Sequence, residues 1–273
     1  MTEHLSTGQP STGQPAILVE RRDHTLLITI NRPAAMNAIN REVSSGIGRA
    51  LELAEGDRDI RAVVLTGAGD RAFSAGADLK AVARGEPLID PQEASWGFAG
   101  YVRHPISKPT IAAVNGLALG GGAEIALASD LVVAAERATF GLPEVRRGLV
   151  AAAGGVLRLP AQLPRKIAME MILTGEPIGA RAAARWGLAN RVVPDGAVVD
   201  AALELAGRIG QNAPLAVQAS KRIATGIVAG GIPAEEEHWR LNFAEVDLVK
   251  RSADAREGPS AFAQKREPRW QGR

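Results

Sequence analysis

The stretch PTIAAVNGLALGGGAEIALASD, residues 109–130, decides how this chain is read. Thr110 to Val114 is a short apolar run between Pro109 and the turn pair Asn115-Gly116, the pattern of a buried strand. Gly120, Gly121 and Gly122 follow, and then Ala123 to Ala128, good helix formers apart from Ile125. Glycines ahead of a helix leave backbone N–H groups bare, with no Cβ to crowd them. The helix dipole adds partial positive charge at the same point. A developing negative charge fits such a place, and Glu124, in the first turn, keeps a carboxylate beside it. Taken alone, the stretch equally suits a glycine turn that packs a helix on a strand, with Glu124 as a surface acid. It needs a second half.

Composition sets the frame. The chain has 273 residues, 46% of them apolar and only 4% aromatic, so its core is built by close packing of small side chains. There is no cysteine, which excludes disulfides, zinc–thiolate sites and cysteine nucleophiles. The net charge is +2, with no basic run interleaved with aromatics, so no nucleic-acid surface is expected. No apolar run is long enough to span a membrane, and no signal-peptide pattern opens the chain. A cytoplasmic location is the expectation.

Residues 6–10 and 11–15 are the same pentapeptide, STGQP, and residues 1–15 read as a disordered tail. Strands are expected at 17–21, 25–30, 62–66, 110–114 and 131–135, with a helix over 41–54 capped by Asn40. Together these imply stacked β-β-α turns over residues 16–200. From about Ala201 the pattern is helical to residue 273. Trp239, Leu241, Phe243, Val246 and Leu248 lie on one of these helices and are expected to meet a partner subunit.

Several motifs are near misses. Gly67-Ala68-Gly69-Asp70-Arg71-Ala72 fits a loose dinucleotide pattern, but Phe73-Ser74-Ala75-Gly76 interrupts the helix that such a turn must open. Ala72-Phe73-Ser74-Ala75-Gly76 lacks the first glycine of a nucleophile elbow. The four histidines have no metal-ligand spacing, so no metal is expected. The informative pair is Ser74-Ala75-Gly76-Ala77-Asp78-Leu79 with Leu119-Gly120-Gly121-Gly122-Ala123-Glu124. Each is a small-residue loop after a buried strand, and two such loops side by side offer two convergent N–H donors, the geometry of an oxyanion hole. Residues 84–103 lie between them and carry Trp96, Phe98 and Tyr101 with Glu86, Asp90 and Glu93. That loop is expected to border the site and to suit an alkyl tail or a quaternary ammonium group.

FSAGADLK (73–80), AVNGLALGGGAEIALASD (113–130) and FGLPEVRRGLVAAAGG (140–155) resemble the enoyl-CoA hydratase/isomerase, or crotonase, superfamily. The likeness runs from residue 17 to 273. It implies an α/β crotonase-like spiral with a helical C-terminal trimerisation domain over 201–273, assembled as a homotrimer or as a dimer of trimers. It implies an acyl-CoA substrate and no separate cofactor, since coenzyme A is part of the substrate. By the resemblance, the oxyanion hole falls on the N–H groups of Ala77 and Gly121. Ala77, Asp78, Leu79 and Lys80 line the coenzyme A groove, and the two hydratase glutamates fall on Glu124 and Glu144. Arg32, Lys80 and Lys265 are candidate phosphate partners or plain surface charges. The implied activity is reversible hydration of a 2-enoyl-CoA. Carnitinyl-CoA dehydratase and Δ3,Δ2-enoyl-CoA isomerase are alternatives within the superfamily, and an RNA-binding role is the non-enzymatic one. The chain departs from many hydratases at Ala152, which stands where they have glycine.

Overall fold

The computed structural model describes residues 14–273, so the expected tail falls almost wholly outside the described residues. Strands β1 (Ile17–Arg22) and β2 (Thr25–Ile30) form a hairpin that leads to helix α1 (Arg41–Gly56). Asn40 caps α1 by accepting from the Val43 N–H, as its side chain predicts. Three more turns of the spiral follow. The first is β3 (Ala62–Gly67), β4 (Ala72–Ser74) and the short helix α2 (Leu79–Ala83). The second is β5 (Thr110–Val114), β6 (Leu117–Leu119) and α3 (Gly121–Ala128). The third is β7 (Leu131–Ala135) and β8 (Thr139–Gly141), then a 3-10 turn over Pro143–Arg147 and α4 (Gly155–Gln162).

Each turn sends its first strand to one sheet and its second to another. The large sheet has the order β1-β2-β3-β5-β7, extended at its edge by β10 (Arg191–Val193). The small one runs β4-β6-β8 and ends in β9 (Ile178–Gly179). Helices α5 (Arg165–Thr174) and α6 (Ala180–Arg185) flank β9. Apart from the β1–β2 and β8–β9 pairs, neighbours are parallel.

The period-two alternation of a strand explains why the large sheet's strands read as unbroken apolar runs. Leu26, Ile28, Val63, Leu65, Ala112, Val114 and Ala134 face the main core with Phe73, Ile125 and Phe140. Their neighbours Leu27, Val64, Ile111, Ala113 and Val133 face the opposite way, onto α7 (Val198–Gly210). That helix presents Val198, Ala202 and Ala206, four residues apart. It therefore belongs with the sheet, and the helical appendage proper begins beyond it, with α8 (Pro214–Thr225), α9 (Glu236–Lys250) and α10 (Ala253–Ala263).

The C-terminal helices fold back on the core. On α9, Trp239, Asn242 and Val246 share a buried face, while Leu241, Phe243 and Leu248 stay exposed. Trp239 and Val246, expected to meet a partner, are thus satisfied within their own chain. Helix α10 lies on the Pro143–Arg147 turn so closely that a Cβ on Gly258 would strike the Arg147 carbonyl. Arg147 also stacks its guanidinium 3.6 Å from the centre of the Phe262 ring.

The tightest contact between turns of the spiral joins α3 to β4, where a Cβ on Gly122 would meet the Ser74 carbonyl oxygen. Backbone cannot move aside as a side chain can. Gly122→Ala is therefore expected to lower stability by ~1–3 kcal/mol, measured as a lower Tm. An unchanged Tm would show that the two loops are not held this closely.

Candidate active site

The two small-residue loops meet. Ala75 N–H donates to the Met36 carbonyl at 3.0 Å, Ile39 N–H to the Gly76 carbonyl at 2.8 Å, and Asp78 N–H to the Ile39 carbonyl at 2.9 Å. No peptide bond among the described residues is cis. With its carbonyl tied to Ile39, the Gly76–Ala77 peptide must point the Ala77 N–H the other way. Gly76 packs on the start of α3: the position a Cβ would take on it is 2.9 Å from the Gly121 nitrogen. Gly76 itself has φ +86°, a conformation open to glycine. Gly121 is the first residue of α3, so its N–H has no partner within the helix. Neither the Ala77 nor the Gly121 N–H donates to an acceptor among the described residues.

Both glutamates are buried near the N-terminal turn of α3, Glu124 within that turn and Glu144 beside Gly120. Glu124 is 3% exposed, and its Oε1 accepts from the Gly155 N–H at 2.8 Å. Glu144 arrives from the turn after β8, and its Oε1 lies 2.7 Å from where a Cβ on Gly120 would sit. Any side chain at position 120 would displace it. The other oxygen, Oε2, is buried and has no hydrogen-bond partner among the described residues. Burial pushes both carboxyls above the usual range. The charge of Glu144 raises Glu124 further, while the N–H groups of Gly155 and Ala153 pull it back in part. Two buried carboxyls that repel each other's charge titrate as a pair, in two steps that belong to both.

The remaining sequence candidates separate. Arg32 is spent on the loop: its guanidinium donates to the Ala38 carbonyl at 2.6 Å and to Asp78 at 2.8 Å. Asp78 also caps α2 through the N–H groups of Lys80 and Ala81. Burial raises the Asp78 carboxyl, but the Arg32 bond and charge, with those two N–H groups, outweigh it and hold the carboxyl below its usual range. Leu79 and Lys80 project from α2 into solvent, and Lys265 is exposed just beyond α10. The structure therefore sets the Gly76–Ala77 loop against Gly121, with Glu124 and Glu144 buried nearby, leaves Lys80 and Lys265 on the surface without an ion pair among the described residues, and commits Arg32 and Asp78 to each other.

Residues 84–103 divide in a way the sequence hides. Trp96 packs against Gly48 of α1 and stacks on His104 with centroids 4.8 Å apart. Tyr101 is buried, with its hydroxyl 2.8 Å from the Ser129 Oγ. Glu93 pairs with Arg49, Glu86 pairs with Arg84, and Asp90 caps its own 3-10 turn. Only Phe98 reaches the site, its ring edge lying where a Gly121 side chain would be. Gly155 was not singled out from sequence, though it carries the same signal as Gly121: a glycine pair, Gly154-Gly155, opening a helix.

A pair of unpaired backbone N–H groups beside two buried carboxyls is a site for acid–base chemistry on a carbonyl compound, with charge held on its oxygen. The chain belongs to the enoyl-CoA hydratase/isomerase family, whose model matches residues 20–273. It is 45% identical over 257 residues to a carnitinyl-CoA dehydratase of Salmonella enteritidis, covering 93% of this chain and 97% of that one. It superposes on a carnitinyl-CoA hydratase from Mycobacterium avium with a TM-score of 0.94 at 60% identity, covering 96% of this chain and 100% of that one. An enoyl-CoA hydratase from Mycobacterium tuberculosis gives a TM-score of 0.74 at 46% identity, over 95% and 100% of the two chains. Among the described residues no helix is long and apolar enough to cross a membrane, and no group of three acids or histidines is placed to hold a metal.

The raised carboxyls make a stability prediction. Above the ordinary carboxylate range the unfolded chain releases these protons before the folded one does, so stability falls as pH rises through that window. Replacing both Glu124 and Glu144 by Gln is expected to remove this slope and to leave the variant more stable than the parent at pH 8. Denaturant unfolding at pH 5 and pH 8 checks it; parallel pH profiles for parent and variant would rule out the raised values.

Proposed function

We propose that this protein is a lyase that adds and removes water across the α,β bond of a coenzyme A thioester, and that its acyl group is that of carnitinyl-CoA. What supports the chemistry is the burial of Glu124 and Glu144 together near the start of α3, where the Gly121 N–H has no partner among the described residues. In the dehydrating direction one carboxylate takes the α-proton, and charge moves onto the thioester oxygen. The Ala77 and Gly121 N–H groups stabilise that oxygen as the enolate forms, an effect worth about 2.7–4 kcal/mol per donor. The other carboxyl gives its proton to the departing β-hydroxyl, and water leaves. The two carboxyls end with their protonation exchanged, and hydration runs the same steps backward.

The substrate class rests on the carnitinyl-CoA relatives, which combine high identity with near-complete coverage. Phe98 places an aromatic ring beside Gly121, the type of side chain that a trimethylammonium group attracts. Lys80, exposed at the start of α2, suits the polyanionic end of coenzyme A. The exposed apolar side chains of α8 and α9, such as Leu215, Ile223 and Leu248, suit the homotrimer or dimer of trimers that the resemblance implies.

Two measurements test the reading. Glu144→Gln keeps the side chain's size but removes its proton, and turnover is expected to fall at least ~100-fold with folding intact; near-parental turnover would remove Glu144 from the mechanism. The second compares kcat/KM for crotonobetainyl-CoA and crotonyl-CoA. The charged substrate is expected to win by more than about tenfold, roughly 1.4 kcal/mol of differential transition-state binding. Preference for crotonyl-CoA would mark an ordinary enoyl-CoA hydratase.

A further inference from the structure

The one backbone N–H bonded to Glu124 at 2.8 Å is that of Gly155, and the segment carrying it, together with the Ala153 N–H that also acts on Glu124, is backed from outside by α9. The peptide segment Ala152–Gly155 has no regular structure until α4 begins, and Gly154 sits at φ +104°. Two residues of α9, one turn apart, grip it. The Asn242 side chain donates its Nδ2 to the Ala152 carbonyl at 2.9 Å. The Trp239 ring edge lies 3.1 Å from where a Cβ on Gly154 would be. Trp239 is itself fixed, because its indole N–H donates to Glu235 at 3.0 Å. Glu235 in turn accepts from Arg158 Nε and Nη2, at 3.0 and 2.7 Å, and Arg158 belongs to the helix that Gly155 opens. The contacts close a ring around the segment that holds Glu124.

We propose that Asn242, assisted by Trp239, is a positioning residue for Glu124: it sets the Ala152–Gly155 segment so that the Gly155 N–H meets the carboxylate. The role rests on Glu124 acting in the proton transfers proposed above. A purely structural account fits Asn242 poorly. Its side chain is 5% exposed, and its Oδ1 finds no partner among the described residues. A buried amide that satisfies only one of its two polar atoms costs stability that leucine, of similar size, would not. What leucine cannot supply is the bond to the Ala152 carbonyl. The other groups that act on Glu124 are the charges of Glu144 and Arg158 and the Ala153 N–H; Asn242 bonds the Ala152 carbonyl and Arg158 bonds Glu235, so neither charged side chain is a hydrogen-bond partner of position 242.

The test is a 13C NMR titration of the Glu124 carboxyl in the full chain without substrate, assigned by its loss in Glu124→Gln. Alongside it, kcat and KM are measured with whichever of the two enoyl-CoA substrates the parent turns over. In Asn242→Leu the Gly155 donor drifts, so Glu124 is expected to titrate higher by at least ~0.5 pH unit. Turnover is expected to drop about tenfold or more with KM held within about twofold, since small misplacements of a reacting group can cost up to ~100-fold. An unchanged Glu124 titration with an unchanged kcat, whatever happens to Tm, overturns the proposal. If the parent turns over neither substrate, the functional reading fails while the titration still decides this one. If Asn242→Leu does not fold, Trp239→Phe replaces it; this variant withdraws the indole edge from Gly154 and is expected to move the titration in the same direction, and no movement overturns the role.

Discussion

The structure depends on keeping two carboxyls dry and close together. A buried carboxylate loses the water that stabilised its charge, and a second one beside it adds repulsion. Folding alone gains nothing from such a pair. Glu124 and Glu144 sit together because the backbone around them is held by the rest of the spiral: the Gly155 N–H takes one oxygen of Glu124, and bare space at Gly120 admits one oxygen of Glu144. The second Glu144 oxygen remains buried without a partner among the described residues. The pair is a local cost in stability that the two-sided burial of the large sheet offsets, and it is also what poises an acid next to a base.

That arrangement follows from the register of the two sheets. The chain moves from large sheet to small once per turn, so β4, β6 and β8 stand side by side in the small sheet. The loops that follow them are therefore neighbours too. One carries Ala77, the next Gly121 and Glu124, and the third Glu144. A spacing of twenty residues between the glutamates becomes, across adjacent strands, a separation small enough for the charge of Glu144 to act on Glu124. The same rule explains the glycines at 76, 120 and 122, where backbone meets backbone or a carboxylate and no side chain fits between.

Much of this was legible in the sequence. The unbroken strands announce themselves because both their faces are buried, and Asn40 marks the start of α1 by its side-chain chemistry. The two glycine loops were readable as paired N–H donors, and resemblance supplied Glu144. Other features were hidden for physical reasons. Three-residue strands such as β6 are too short to show a period. The segment 84–103 has no regular structure, so nothing in its pattern separates Phe98, which reaches the site, from Trp96 and Tyr101, which pack elsewhere. Arg32 looks like any surface arginine until the fold brings Asp78 to it, 46 residues away. Helix α7 shows an apolar face in the sequence, but which surface that face covers is a tertiary fact.

The composition itself then acquires a functional meaning. A core of alanine, glycine and valine lets helices and strands approach until their backbones touch, and backbone is what this site uses. The groups proposed to stabilise charge are main-chain N–H donors, fixed by secondary structure and free of side-chain rotamers to immobilise. The few aromatics are placed around that framework: Phe98 against Gly121, Trp96 against Gly48, Trp239 against Gly154. In each case a ring fills the space that a missing side chain leaves open, so a large rigid group sets the position of a thin stretch of main chain. A glycine-rich active site would be loose if left to itself. Here the rings and the turns of the spiral supply the rigidity, and the glycines supply the closeness that enolate chemistry requires.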